Sequence, residues 1–157
     1  MKNNFLLILI AFFLTFFMIG CGEDPKLSKF KNDVSSFCDE ITLLDASINS
    51  IDAKAENAPD ELLNYLDRLE QAFKVFADIS APEEYAYIED LADEASAYMV
   101  TAVSAYHEAY GENSYNEYTA EYARENYERA YLRITVILQL LRGEEINIEG
   151  VTVEQTP

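Results

Sequence analysis

The chain has 157 residues, half of them apolar, which suits one domain with a sizeable core. Its 29 acidic residues against 11 Lys and Arg give a net charge of −18. Such a surface repels nucleic acid and anionic membranes and attracts basic peptides, polyamines or divalent ions, although acidity that serves solubility alone accounts for the same number.

Met1-Lys2-Asn3-Asn4 forms a short cationic lead, and Phe5 to Gly20 is a 16-residue apolar run broken only by Thr15. A membrane-spanning helix wants about 20 such residues, so the run suits the hydrophobic region of a secretory signal. It ends in Met18-Ile19-Gly20-Cys21. This segment resembles the lipobox of bacterial lipoproteins, in which small residues precede a cysteine that is lipidated and becomes the mature N-terminus. The resemblance covers residues 1–21. It implies a cleaved signal peptide over 1–20, an acyl anchor of the palmitate kind on Cys21, and a cell-membrane location facing the extracytoplasmic side. An uncleaved anchor helix is the alternative. Every acidic residue follows residue 22 and Lys2 is the only cation lost, so the mature chain has 10 cations, 29 acids and a net charge of −19.

With Cys21 lipidated, Cys38 has no intrachain partner and no disulfide framework is expected. Cys38 reads as a small buried apolar residue, with an intermolecular disulfide as the alternative.

Residues 21–25 form the tether, and Gly22-Glu23-Asp24-Pro25 spans roughly 14 Å at most. Asp24 and Pro25 are spaced to cap and open a helix. That helix is predicted over Lys26 to Ala53, with Leu27, Phe30, Val34, Phe37, Ile41, Leu44, Ile48 and Ile51 at alternating three- and four-residue steps. A repeat of this kind puts one narrow seam against partner helices.

Asp52 to Ala58 reads as a linker. Pro59, with Asp60 and Glu61, opens a second helix running to about Ile79, with Leu62, Leu66, Leu69, Phe73 and Phe76 on its seam and Glu70 spaced to pair with Lys74. Ser80 and Glu83 have capping-box spacing before a third helix, about Ala81 to Tyr110, stopped by Gly111. Its seam is Ile88, Leu91, Ala95, Met99, Ala102, Tyr106 and Ala109. Ser114 and Glu117 repeat the capping-box spacing before a fourth helix, about Tyr115 to Arg142, stopped by Gly143. Its seam is Ala123, Tyr127, Ala130, Ile134, Ile137 and Leu141, and Glu125 is spaced to pair with Arg129. The expected fold is therefore all-α, an acidic up-down-up-down four-helix bundle over residues 26–143.

Residues 144–157 form a tail in which Ile146-Asn147-Ile148 and Val151-Thr152-Val153 alternate around Glu149-Gly150, as in a short hairpin or extended segment. The fourth helix carries Val136, Leu138 and Leu140 beyond its seam, and the tail is expected to fold over them. A partner protein covering that surface is the alternative.

Ten of the eleven tyrosines lie between Tyr85 and Tyr131, and residues 75–123 hold eleven acids and no Lys or Arg. Rings beside carboxylates suit sugars, amines or cationic peptides, through stacking, cation–π attraction and hydrogen bonding. Tyr106, Tyr110, Tyr118, Tyr122, Tyr127, Glu117 and Glu121 are the candidate ligand-binding residues. The plainer account is that the rings fill space opposite alanines.

His107, the only histidine, reads as a surface or boundary residue. No Glu-x-x-His pair, Cys/His cluster or glycine-bearing calcium loop is present, so neither a metal nor a cofactor is expected. No nucleophile elbow, phosphate-binding loop or Cys–His arrangement points to catalysis, and an enzyme is not expected.

The function this suggests is a membrane-tethered lipoprotein acting as a non-catalytic binding or accessory module for a cationic or polyhydroxy ligand or a protein. The alternative is a structural or immunity-type lipoprotein acting through one dedicated partner at the end of the fourth helix and the tail.

Overall fold

The computed structural model describes residues 24–111 and 115–144. The lipobox-like segment, the expected tether before Asp24 and the tail beyond Glu144 lie outside the described residues. Four helices make up the fold: α1 (Pro25–Asn49), α2 (Ala58–Ala77), α3 (Tyr87–Ala109) and α4 (Glu117–Leu141), with one 3-10 turn, Glu83–Tyr85, ahead of α3. They form an all-α four-helix bundle.

The seams meet in a core where Phe37 stacks on Phe76 at 4.1 Å and meets Phe73 edge-on at 5.3 Å. These contacts place the end of α2 beside the middle of α1. Phe73 also approaches Tyr131 of α4 at 5.6 Å between ring centroids. Arg133 on α4 donates to Glu94 on α3, and His107 near the end of α3 bonds Asp67 in α2. Residues late in one helix thus meet early or central residues of its neighbour, as in antiparallel packing. The alanines Ala95, Ala102, Ala109, Ala123 and Ala130 are all fully buried, which lets α3 and α4 pack most extensively of all pairs.

Helix ends depart from the periodic expectation. Asp24 does cap α1, accepting from the Lys26 amide at 3.0 Å. That helix stops at Asn49 rather than Ala53, because Asp52 organises a turn instead, its side chain accepting from the Lys54 amide and its carbonyl from the Ala55 amide. Ile51 therefore leaves the helical seam. The expected box at Ser80 and Glu83 does not form. Pro82 holds an extended backbone before the 3-10 turn, and Glu89 reaches back to the Ala81 amide at 2.9 Å. Asn116, not Ser114, caps α4, accepting from Thr119. Ser114 itself lies outside the described residues.

Several other expectations are met. Glu70 pairs with Lys74, Glu125 lies 3.7 Å from Arg129, and Gly143 ends α4 with φ 69°. Cys38 is buried and burial pushes its thiol up to about 12, which leaves the intermolecular disulfide without an accessible sulfur. Val136, Leu138 and Leu140 are also buried rather than open.

Up-down-up-down order gathers the start of α1, the α2–α3 connection and the end of α4 at one pole. The α1–α2 connection, the end of α3 and the start of α4 share the other. At ~1.5 Å per residue, 25-residue helices such as α1 and α4 separate the poles by roughly 37 Å.

Candidate functional site

The candidate residues fall into three groups around the second pole. Tyr106, on the core-facing seam of α3, lies half-buried where α3 nears its end, with Tyr110 one turn further on. Tyr115, just before α4, brings its ring to 5.3 Å from that of Tyr110. Along α4, Glu117, Glu121, Arg124 and Glu128 succeed one another at four- and three-residue steps and so share a flank. Arg124 donates to both Glu121 and Glu128.

The ring cluster and the charged flank adjoin. Burial, then the neighbouring Tyr110, push the Tyr106 hydroxyl up to about 12; Arg124 opposes and Glu128 adds to the rise. Burial and Tyr115 likewise raise Tyr110. The hydrogen bond from Arg124 holds the Glu121 carboxyl below its usual range. The cluster thus sets aromatic rings and hydroxyls beside the side chains of Glu117, Glu121, Glu128 and Arg124. Such a surface can stack on a flat or apolar group, accept hydrogen bonds from ammonium or hydroxyl groups, and hold excess negative charge near them.

Tyr118 and Tyr122 stand apart, on the outward stripe of α4, where they are 90% and 52% exposed. Glu125 and Arg129 continue that stripe. These rings are open to a partner but do not line the same cluster as Tyr106.

Tyr127 points inward. It stacks on Tyr131 at 4.8 Å, and both hydroxyls donate to Asp45 Oδ1 on α1, at 2.5 and 2.9 Å. Burial raises the Asp45 pKa, and the two tyrosine hydrogen bonds partly offset the rise. This half-buried group joins the first helix to the last, so Tyr127 serves the fold before any ligand. Sequence analysis did not single out Asp45. The available signal was the inward seam position of Tyr127, whose hydroxyl needs an acceptor somewhere in the core.

His107 is exposed and bonds Asp67 at 2.7 Å. Arg129 and Arg133 both lie over the Tyr98 ring, at 5.9 and 5.2 Å from its centroid, so that ring already has its cations. Among the described residues, no group of three or more His, Cys, Asp or Glu is placed to hold a metal ion, and no helix is long and apolar enough to cross a membrane. No family model, no curated protein and no solved structure matches this chain.

Proposed function

We propose that the protein is a lipid-anchored, extracytoplasmic binding module that takes cationic ligands, amines or basic peptide segments, at the pole farthest from its anchor. The carrying observation is the Tyr106–Tyr110–Tyr115 cluster set against the Glu117–Glu121–Arg124–Glu128 flank. Sugars and other polyhydroxy ligands use the same rings and carboxylates and are the neutral variant of this reading. Nothing in the site performs catalysis under this proposal; the bundle supplies a rigid platform.

Orientation supports it. A lipid on Cys21 reaches α1 through a tether of roughly 14 Å, and α1 begins at the pole opposite the cluster. The Tyr- and acid-rich pole then faces away from the bilayer, where ligands arrive.

Two measurements test the reading. Intact mass of membrane-extracted protein, wild type and Cys21→Ser, should show acyl mass on a species starting at Cys21 and its loss in the variant. An unprocessed chain in both removes the anchor. Titration with spermidine, hexalysine and a neutral oligosaccharide, followed by tyrosine fluorescence (the chain has no Trp), tests the pole. Saturable, salt-sensitive binding that Tyr110→Ala with Tyr115→Ala abolishes is expected. Binding that survives both substitutions, or none by any probe, overturns the site.

A further inference from the structure

Among the described residues, three pairs of tyrosines bring their rings within the contact range of about 4.5–7 Å between centroids. They are Tyr110 with Tyr115 at 5.3 Å, Tyr127 with Tyr131 at 4.8 Å, and Tyr85 with Tyr87 at 6.4 Å. The pairs differ in what can reach them. Tyr127 and Tyr131 donate to Asp45, and Tyr131 is only 7% exposed. Tyr85 is held by stacking on Phe30 at 5.7 Å, and its distance to Tyr87 is the longest of the three. Of these six residues Tyr115 alone is open, at 58% exposure, with its ring tilted 53° against that of half-buried Tyr110.

The backbone fixes this pair. Tyr110 closes α3, its amide donating to the Tyr106 carbonyl at 3.0 Å. The Asn116 amide donates to the Ala109 carbonyl at 2.9 Å. That second bond spans the connection between α3 and α4, so Tyr115 is pinned beside the end of α3. Asn116 also caps α4, which anchors the other side. Two phenols kept together in this way react within one molecule, without waiting for a collision.

We propose that Tyr110 and Tyr115 form an oxidative cross-linking pair, joined as dityrosine by a one-electron oxidant such as a peroxidase working on hydrogen peroxide. Each phenol gives up one electron and its hydroxyl proton. The two electrons and two protons reduce one peroxide to two waters. The unpaired electrons left behind lie partly on the ring carbons next to the oxygens, and one such carbon from each ring joins in a new C–C bond. The hydrogens on those two carbons then move to the oxygens, which restores both phenols. The product is the same chain lighter by two hydrogens, with the end of α3 tied covalently to the start of α4. Tyr118 and Tyr122, 90% and 52% exposed, also meet oxidant, but neither ring touches another among the described residues. They couple only between molecules, and a net charge of −18 keeps molecules apart. This inference depends on neither the proposed ligand nor the lipid.

The sequence makes the link easy to read. Glutamyl endopeptidase cuts after Glu112, which separates Tyr110, in residues 109–112, from Tyr115, in residues 113–117. After haem peroxidase and limiting hydrogen peroxide at low salt, oxidised monomer should yield these two peptides joined and lighter by two hydrogens. Tyr110→Phe and Tyr115→Phe keep both rings, yet each should lower the dityrosine fluorescence of the monomer about tenfold. Tyr118→Phe with Tyr122→Phe should leave the link in place. The folded chain should also form the link several-fold faster than the same chain in urea, where the pair is no longer held. Two separate peptides from the oxidised monomer overturn the pair, whether dityrosine has formed elsewhere or not at all. An equal rate in urea overturns it too, since nearness in sequence and not the fold would then bring the rings together.

Discussion

Asp45 accepts hydrogen bonds from hydroxyls 82 and 86 residues further along the chain, so one carboxylate fastens α1 to α4. Asp45→Ala should cost about 2 kcal/mol, because it strands two hydroxyls, each worth roughly 1 kcal/mol or more when left unpaired in a buried setting. Denaturant melts of this variant beside Tyr131→Phe give the comparison, and a cost below that of Tyr131→Phe would show that water replaces the carboxylate freely. The group also carries a pH signature. Burial raises its folded pKa above the unfolded value of about 3.9, so the folded state keeps the proton longer and stability falls as pH rises through that interval. Asp45→Asn removes this contribution, so the variant should gain on the wild type as pH is raised from about 4. A constant difference across that range would separate the Asp45 proton from folding. Asp45 was not legible in the sequence because it neighbours Leu44 on an acidic helix, where most carboxylates are solvated. Only the two inward tyrosines of a distant helix give it a role.

Among the elements, the ends of α1 and α4 carry separable contributions. Asp24→Ala removes an N-cap and should cost about 1 kcal/mol. Gly143→Ala places a side chain at φ 69°, where a Cβ meets nothing within 4 Å, so its cost is backbone strain alone, roughly 1–2 kcal/mol. Thermal melts read both, and a neutral Gly143→Ala would mean that the turn relaxes. The helices themselves were legible because Phe30, Val34, Phe37, Ile41 and Leu44 hold a helical step that no strand or loop shares, and all five are buried. Their ends were less so. Ile51 keeps the apolar rhythm after the helix has stopped, since rhythm records which side faces the core and not where hydrogen bonds end. Ser80 and Ser114 have the right spacing to cap, but spacing takes no account of the extended backbone that Pro82 imposes or of Asn116 lying nearer the helix. The candidate site was legible by composition and not by grouping. Tyr118, Tyr122 and Tyr127 are close in sequence, yet α4 turns two outward and one into the core.

For the whole molecule, a net charge of −18 makes folding a compression of like charges. Raising ionic strength from ~0.01 M to ~0.15 M shortens the screening length from ~30 Å to ~8 Å, so the melting temperature should rise. Exposed pairs such as His107–Asp67 contribute little either way, and a falling melting temperature would mean that the surface ion pairs outweigh the self-repulsion.

Arg124 gives the charged flank an occupant of its own. In the free protein its guanidinium already holds Glu121 and Glu128, so under the proposed function an arriving amine would meet an internal competitor and have to displace it. The wild-type affinity would then be the intrinsic affinity lowered by that exchange. Arg124→Gln should bind spermidine several-fold more tightly than the wild type, although the substitution adds no contact to the ligand. Unchanged or weaker binding would place the ligand away from these carboxylates. Under the proposed function, a residue that occupies its own site in this way lowers the affinity of every cationic ligand by the small worth of two exposed ion pairs.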